Sequence, residues 1–127
     1  NKAYREKRRC VIPVAFFYEW TGPKGHKQTH ALQDPEGSWL WMAGLWEQSR
    51  DHGHCYTMIT TDANTGVAAI HDRMPAVLSV DAIEEFLTAE DPKDLLAPTA
   101  MELEIYPCLN PLRMKEPSPP IRDDFIL

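Results

Sequence analysis

The chain of 127 residues is long enough for one domain with its own core, because 43% of its residues are hydrophobic. No apolar run approaches the roughly 20 residues that a membrane-spanning helix needs, and no signal-peptide pattern opens the chain. The net charge of −6 argues against a protein that coats nucleic acid through charge alone. Three cysteines without paired spacing argue against a disulfide framework and indicate a reducing, intracellular and cytoplasmic location.

The first half of the chain predicts strands separated by turns. Residues 1–9 are polar and indicate the end of a helix or an arm, and a short apolar run at residues 10–12 ends at Pro13. Runs of β-forming residues predict four strands, at residues 15–20, 28–32, 39–46 and 55–61. The third of these is apolar on both faces, so we expect it to be central and buried.

The second half predicts two further strands and two short helices. The strands are expected at residues 75–78 and 102–107. Asp81 and Glu84 match a capping box that begins a helix, and the buried stripe of that helix would be Ile83, Phe86 and Leu87. Another short helix is expected to begin at residues 91–92, with the acid as its cap and the proline in its first turn.

The last stretch, residues 108–127, is rich in proline and shows no periodicity, which predicts an extended tail over the surface. Strands outnumber helices, and most connections are short. The sequence therefore predicts a single domain over residues 1–127 of the α+β class, mainly antiparallel, with a few short helices.

The segment Ile-His-Asp-Arg-Met-Pro at residues 70–75 concentrates chemically useful groups. His71 is of the residue type that changes charge near neutral pH, and the guanidinium of Arg73 is shaped to hold a phosphate. Pro75 disfavours a helical conformation at Met74, so the segment should be extended. The alternative is a turn at the edge of the core, tied down by a salt-bridged arginine.

Glu19 is an isolated carboxylate between Tyr18 and Trp20 in the first predicted strand. It lies either at an exposed strand end or in a pocket where desolvation would raise its pKa. Paired with His71, it could exchange protons with a substrate. Trp20 would offer a stacking platform for a base and Arg73 a phosphate contact, a combination that suits a nucleic-acid substrate.

Two other kinds of site remain as alternatives. A zinc site would use His52, His54 and Cys55, with His26 or His30. This set lacks a second spaced pair, so no metal or cofactor is predicted. A cysteine nucleophile acting with His71 is the other alternative, but no cysteine stands in an activating context. We therefore expect Cys10, Cys55 and Cys108 to be buried structural thiols.

The positive charge of the chain is concentrated at its beginning. Five cations lie in the first nine residues: Lys2, Arg5, Lys7, Arg8 and Arg9. They form either a local basic patch that tracks a phosphate backbone or a solvated helix end, and the sequence leaves both open.

Five segments follow one another in an order that matches a known family. They are Arg-Cys-Val-Ile-Pro at residues 9–13, Phe-Tyr-Glu-Trp at 17–20, Ala-Gly-Leu-Trp-Glu at 43–47, Ile-Thr-Thr-Asp-Ala-Asn at 59–64 and Ile-His-Asp-Arg-Met-Pro at 70–75. This series resembles the SRAP family, named for SOS-response-associated peptidases. The resemblance runs from about residue 8 to residue 107 and implies the SRAP sheet or barrel fold.

The resemblance implies a function in DNA damage. SRAP proteins recognise abasic sites in single-stranded and junction DNA, and an N-terminal cysteine closes a thiazolidine with the ring-opened aldehyde. The family is also described as self-processing. The resemblance places Glu19 and His71 as the residues that assist this chemistry, and Trp20 and Arg73 against DNA. The matching motifs also hold Asn64, Met74 and Pro75, which we expect at the same interface.

Two departures from the family pattern bear on activity. Residues 14–16 are Val-Ala-Phe where the family usually has an Ala-Asp-Gly-like run. The family's N-terminal cysteine segment is not seen, Asn1 has no thiol, and Cys10 matches a position inside the fold. We expect this chain to be the larger C-terminal part of an SRAP domain, nucleoid-associated and without its nucleophile. The alternative is a non-catalytic DNA-binding or structural domain that keeps the fold. The oligomeric state stays open.

Overall fold

The computed structural model describes residues 1–123, and the mixed, mainly antiparallel α+β class is confirmed. The strands of this part are β1 (Arg9–Val14), β2 (Phe16–Thr21), β3 (Gln28–Gln33), β4 (Leu40–Ser49), β5 (Gly53–Met58), β6 (Thr60–Asp62), β7 (Arg73–Pro75), β8 (Val77–Leu78) and β9 (Glu104–Cys108). Its helices are α1 (Lys2–Arg5) and α2 (Ile83–Thr88), with 3-10 turns at Val67–Ala69, Val80–Ala82, Lys93–Leu96 and Pro111–Arg113. None of the described helices is long and apolar enough to span a bilayer.

The first sheet is built around β4, as its apolar faces predict. β4 pairs in antiparallel fashion with β1, β5 and β8. At Gly44 the strands approach closely, since a Cβ there would lie 2.8 Å from Ile12 Cδ1 and 2.9 Å from Cys10 Sγ. β1 continues through Pro13 instead of ending before it. Proline is tolerated because β1 is an edge strand among the described residues.

The second sheet has the strand order β2-β3-β9, and all its pairs are antiparallel. The register sets Glu19 opposite His30, and Phe17 opposite Leu32. A third, two-stranded sheet joins β6 to β7, with Asp62 opposite Arg73. β7 confirms the extended conformation predicted before Pro75.

Two predicted strands are each divided in the structure. The predicted strand at 55–61 becomes β5 and β6, and the predicted strand at 75–78 becomes the end of β7 and β8. The breaks fall at Ile59 and Ala76, which are hydrogen bonded to each other, with Ala76 N 2.8 Å from Ile59 O. Both also bond to the backbone of Ala43, at 2.9 Å each. The chain changes sheets at this junction, which no local pattern marks.

α2 packs against the first sheet. Phe86 is fully buried with Ala43, Ala76 and Leu78, and Ile83 and Leu87 pack beside it, so the predicted stripe is confirmed. The predicted capping box is wrong. A 3-10 turn, Val80–Ala82, precedes the helix and leads directly into it, so Asp81 lies inside this turn and Ala82 takes the N-cap position.

The short helix predicted at residues 91–92 begins later, as the 3-10 turn Lys93–Leu96 with Pro92 at its N-cap. No side-chain cap bond is present at that turn. Asp91 is engaged elsewhere, because it accepts a hydrogen bond of 2.7 Å from the hydroxyl of Tyr4. That contact joins α1 to the segment after α2.

The predicted tail is only partly extended. It forms the 3-10 turn Pro111–Arg113 and then returns to the end of β9, where Cys108 pairs with Arg122 in an isolated bridge and the following Leu109 N donates to Ile121 O at 3.0 Å. The guanidinium of Arg122 lies 3.9 Å from the ring centre of Tyr106 and forms an ion pair with Glu104. Residues 124–127 of the tail lie outside the described residues.

Candidate functional site

β2 places Glu19 at the rim of the hydrophobic core. Side chains alternate along a strand, so Tyr18 and Trp20 occupy one face, and Phe17 and Glu19 the other. Phe17 packs against the buried cluster that contains Leu32. Glu19 is the next residue on that face and is half-buried. The predicted pocket position is therefore favoured over an exposed strand end.

The Glu19 carboxylate lies beside the His71 ring. Glu19 Oε2 is 3.7 Å from His71 Nε2, and the two side chains are 20% and 39% exposed. The predicted proximity of these residues, distant in sequence, is confirmed. At this separation the pair is an electrostatic contact, longer than a direct hydrogen bond. Their chemical roles stay predictions.

The backbone of Arg73 holds the other nitrogen of the His71 ring. His71 Nδ1 lies 2.9 Å from Arg73 O and 3.1 Å from Arg73 N. Nδ1 can therefore accept from the N–H or donate to the carbonyl. In the first case the ring proton sits on Nε2, facing Glu19, and in the second Nε2 presents its lone pair. Both neutral forms of the ring keep a partner, which suits a group that exchanges protons.

Burial raises the pKa of Glu19, and attraction to His71 only partly offsets this effect. A neighbouring imidazolium alone would lower that pKa, so desolvation is the larger influence. The carboxyl group consequently holds its proton at higher pH than a solvent-exposed glutamate does. This is the direction required of a general acid that works near neutral pH.

Arg73 is already engaged by protein groups. Its Nη1 donates to Asp62 Oδ1 at 2.8 Å, and its Nη2 lies 2.9 Å from Thr60 O and 3.2 Å from Thr60 Oγ1. These bonds match the alternative of a salt-bridged turn. The side chain is nevertheless 46% exposed, so part of it stays accessible to solvent.

The other residues expected at DNA from their motifs serve the fold in this chain. Met74 is 1% exposed and Pro75 is buried, so both side chains pack against protein atoms in this structure. Asn64 Nδ2 donates to Thr99 O at 3.1 Å, and its Oδ1 accepts from Val67 N at 3.0 Å. Asn64 thus ties two loops together at the edge of a cleft of about 510 Å³. Their contact with DNA stays a prediction.

Trp20 is half-buried near the end of β2. Its ring centre is 6.1 Å from that of Tyr18, and its Nε1 lies 3.4 Å from Asn110 Oδ1. The indole is therefore held in place from both sides while part of its surface stays accessible, as a stacking platform requires.

The competing sites find little support among the described residues. No group of three or more His, Cys, Asp or Glu side chains within residues 1–123 has metal-binding geometry. Cys108 is buried as expected, whereas Cys10 and Cys55 are only half-buried, and all three are free thiols. Burial raises the pKa of the Cys10 and Cys108 thiols, which opposes the thiolate form that a nucleophile needs.

The N-terminal cations are mostly neutralised. Lys7 pairs with Glu90, and Arg8 pairs with Glu6. Arg9 is 4% exposed and donates to the carbonyls of Phe86, Ala89, Tyr4 and Glu90. Of the two readings of this cluster, the structure favours a helix end over a basic patch.

His30 is a residue that sequence analysis considered only as a metal ligand. It lies directly opposite Glu19 in the β2–β3 pair, so the two side chains share one face. Its Nδ1 is buried without a hydrogen-bond partner in the described residues. Alternation around the Gly- and Pro-containing turn would have predicted this pairing, because it matches residue 21 with residue 28 and hence residue 19 with residue 30.

Comparison with known proteins identifies relatives. The chain is 36% identical over 104 residues to the abasic site processing protein HMCES of Gallus gallus, covering 63% of this chain and 31% of that protein. It is 34% identical over 111 residues to the abasic site processing protein YoqW of Bacillus subtilis, covering 78% of this chain and 49% of that protein. YoaM of the same organism is 34% identical over 89 residues, with 66% and 39% covered. The chain thus spans 31–49% of the length of these relatives.

Solved structures share the fold. A crystal structure of a Bordetella bronchiseptica protein superposes with a TM-score of 0.76 at 28% identity, covering 86% of this chain and 58% of that one. One from Bacteroides thetaiotaomicron gives 0.73 at 24% identity, with 86% and 52% covered. The family model described as SOS response associated peptidase (SRAP) matches residues 1–112. The chain therefore belongs to the SRAP family.

Proposed function

We propose that this chain recognises abasic sites in single-stranded or junction DNA, as part of an SRAP protein that processes them. The observation that carries the proposal is the Glu19–His71 pair, 3.7 Å apart and built from two segments that match the family. The names of its relatives, abasic site processing proteins, support the substrate class. The SRAP resemblance favours single strands and junctions over intact duplex, and a place in the cytoplasm with the nucleoid.

We assign Glu19 and His71 to proton transfer during condensation of the aldehyde with an amine and a thiol. The amine adds to the carbonyl carbon and gives a carbinolamine, whose hydroxyl must leave as water. The hydroxyl needs a proton in order to leave as water, and protonated Glu19, with its raised pKa, is suited to donate it. The thiol then adds to the resulting C=N bond, its sulfur bonding to carbon and its proton passing to the neighbouring carboxylate or imidazole. The sum is a thiazolidine and one water.

A second candidate function is DNA binding without catalysis, or a purely structural role in the SRAP fold. The contacts of Arg73 and Asn64 favour it, because both side chains are occupied by protein groups. The raised pKa of Glu19 argues for catalysis instead, since desolvating a carboxylate destabilises a domain that gains nothing from it.

The test is a binding comparison on the 127-residue chain by fluorescence anisotropy. Three probes of equal length are needed: a single strand with one abasic site, the intact single strand, and the intact duplex. We expect the abasic strand to bind tighter than the intact one by about tenfold or more, and the duplex to bind least. Glu19→Gln should reduce the abasic preference, with Glu36→Gln in an exposed turn as the matched control. Equal affinity for all three probes would contradict the proposal that the chain recognises abasic sites.

A further inference from the structure

The face of the second sheet that carries Glu19 holds a second imidazole. His30 lies directly opposite Glu19 in the β2–β3 pair, and directly opposed residues have Cβ atoms about 4.5–5.5 Å apart. His71 approaches the same carboxylate from the loop before β7, with 3.7 Å between Glu19 Oε2 and His71 Nε2. Two imidazoles therefore lie next to one carboxylate, and only His71 has a place in the proposed reaction.

The hydrogen bonds of the fold do not explain the His30 ring. Its Nδ1 is buried and makes no hydrogen bond among residues 1–123. The residue opposite it in β9 is Pro107, which has no polar side-chain group, and the next residue on its own face of β3 is the fully buried Leu32. A buried polar atom without a partner is destabilising, so packing alone would favour an apolar side chain at this position.

The titratable groups around His30 come from three parts of the described chain. They are Glu19 in β2, His71 and Asp72 in the loop before β7, and Asp123 at the start of β3. Asp72 is 92% exposed, and Asp123 accepts a hydrogen bond of 2.8 Å from Gln28. β9 adds no titratable side chain to this face, because Tyr106 and Cys108 alternate to the other one. Glu19 is therefore the half-buried acid that faces His30.

We propose that His30 is a positioning residue of the site, which acts through Glu19 by deciding whether that carboxyl keeps its proton. The inference rests on the proposed function and deepens it. A protonated His30 favours the carboxylate form of Glu19, because a nearby opposite charge stabilises the charged form. A neutral His30 leaves burial to favour the protonated acid. The two groups thus compete for one proton, and Glu19 can act as an acid when that proton is on its carboxyl group.

The experiment follows the Glu19 carboxyl carbon by NMR during a pH titration of the 127-residue chain, with no DNA present. His30→Gln keeps a polar side chain but removes the charge, so it should raise the Glu19 midpoint by about half a pH unit or more. His30→Phe should raise it as well. The matched control is His54→Gln in the first sheet, where the ring lies 5.6 Å from that of Trp46, and it should leave the midpoint unchanged.

A second readout concerns the reaction. In a polypeptide that carries this chain behind a cysteine-initiated SRAP segment, the rate of adduct formation with abasic single-stranded DNA is measured against pH. His30→Gln should move the alkaline limb of this profile upward by about as much as it moves the Glu19 midpoint, because the acid then keeps its proton to higher pH. A merely structural role of His30 would lower the rate without moving the limb.

The outcomes separate this proposal from the function on which it rests. An unchanged Glu19 midpoint in His30→Gln, or an equal rise in His54→Gln, would overturn the role of His30 and leave the proposed function intact. A rise in His30→Phe alone would overturn it too, since packing and not charge would be the cause. A raised midpoint with an unmoved pH profile would support the control of Glu19 by His30 and remove the acid role that the proposed function gives Glu19.

The unaltered chain decides the question if neither His30 variant folds. The ring resonances of His30 should then show an inflection at the Glu19 midpoint, and Glu19→Gln should abolish it, because coupled groups titrate together. A His30 titration without that inflection would overturn the proposal.

Discussion

Two groups of cations differ in what surrounds them. The N-terminal cations are dense in the sequence, yet Lys7 and Arg9 are occupied by groups about eighty residues away. Lys27 and Arg113 are far apart in the sequence, yet both line one cleft beside Trp20, and neither forms an ion pair with an acid of residues 1–123. Charge density along a chain is therefore a poor guide to charge available at a surface. What decides is whether the fold supplies a partner.

The largest effect should come from Arg9, whose guanidinium fills a buried hydrogen-bonding position. Arg9→Met would remove the side-chain donor from the carbonyls of Phe86, Ala89 and Glu90, whereas the carbonyl of Tyr4 keeps its bond from Lys7 N at 3.1 Å. We expect a loss of at least about 3 kcal/mol in the free energy of unfolding, because each orphaned buried group costs roughly 1–3 kcal/mol. Urea denaturation followed by circular dichroism measures it.

Lys7→Met is the matched control for Arg9→Met, because Lys7 meets Glu90 at an exposed position. It should change the unfolding free energy little. Arg9→Lys should rescue poorly, since an ammonium cannot reproduce the planar fork of donors. If Arg9→Met proved as mild as Lys7→Met, the contrast between occupied and available cations would collapse.

Arg73 is intermediate between these extremes, being paired but exposed. Arg73→Ala should cost at most about 1 kcal/mol, the usual range for a surface ion pair. If the exposed Arg73 side chain contacts a phosphate, its loss should lower the salt slope for binding single-stranded DNA by roughly one unit or less. Asp62→Asn serves as control, since it weakens the same ion pair but leaves the cation. A lower melting temperature with an unchanged slope would limit Arg73 to holding the turn.

The smallest effect is expected for Glu19, whose attraction to His71 only partly offsets the desolvation of its carboxylate. Because burial raises the pKa of Glu19, the fold is favoured where this carboxyl is protonated and loses stability as pH rises through the raised pKa. Glu19→Gln should therefore raise the melting temperature slightly at about pH 7 and change it little at about pH 4, below the ordinary carboxyl pKa. Thermal scans at both pH values test this. A lower melting temperature for Glu19→Gln at neutral pH would mean that attraction to His71 outweighs desolvation.

Local patterns in the sequence predicted the elements that depend on neighbours along the chain. Runs of β-forming residues predicted β2 and β3, alternation predicted β9, and the helical stripe around Phe86 predicted α2. The failures share one cause. The breaks at Ile59 and Ala76 arise because each of these residues bonds to a strand of another sheet, which no window of nearby residues contains.

In the candidate site, too, local patterns identified single residues, whereas the contacts between them depend on the tertiary fold. Glu19 stood out as a carboxylate among aromatic residues, but its nearness to His71 followed only from resemblance to a family, since tertiary contacts create it. For the same reason the sequence left open whether the N-terminal cations form a basic patch, because Arg9 is held by backbone carbonyls of Phe86 in α2 and of Glu90 just after it. His30, in contrast, was within reach of the hairpin pairing rule.

The central claim is that Glu19 and His71 act together on an abasic aldehyde, and a double-mutant cycle tests it most directly. The rate of denaturation-resistant adduct formation with abasic single-stranded DNA would be measured in a polypeptide that carries this chain behind a cysteine-initiated SRAP segment. We expect Glu19→Gln and His71→Asn each to slow the reaction by about 10²-fold, the usual contribution of an acid–base group. The double variant should be hardly slower than either single one, because residues acting as a unit are not additive. Single variants that react at the unaltered rate, or a double variant whose slowing equals the product of the two, would contradict a shared proton-transfer role.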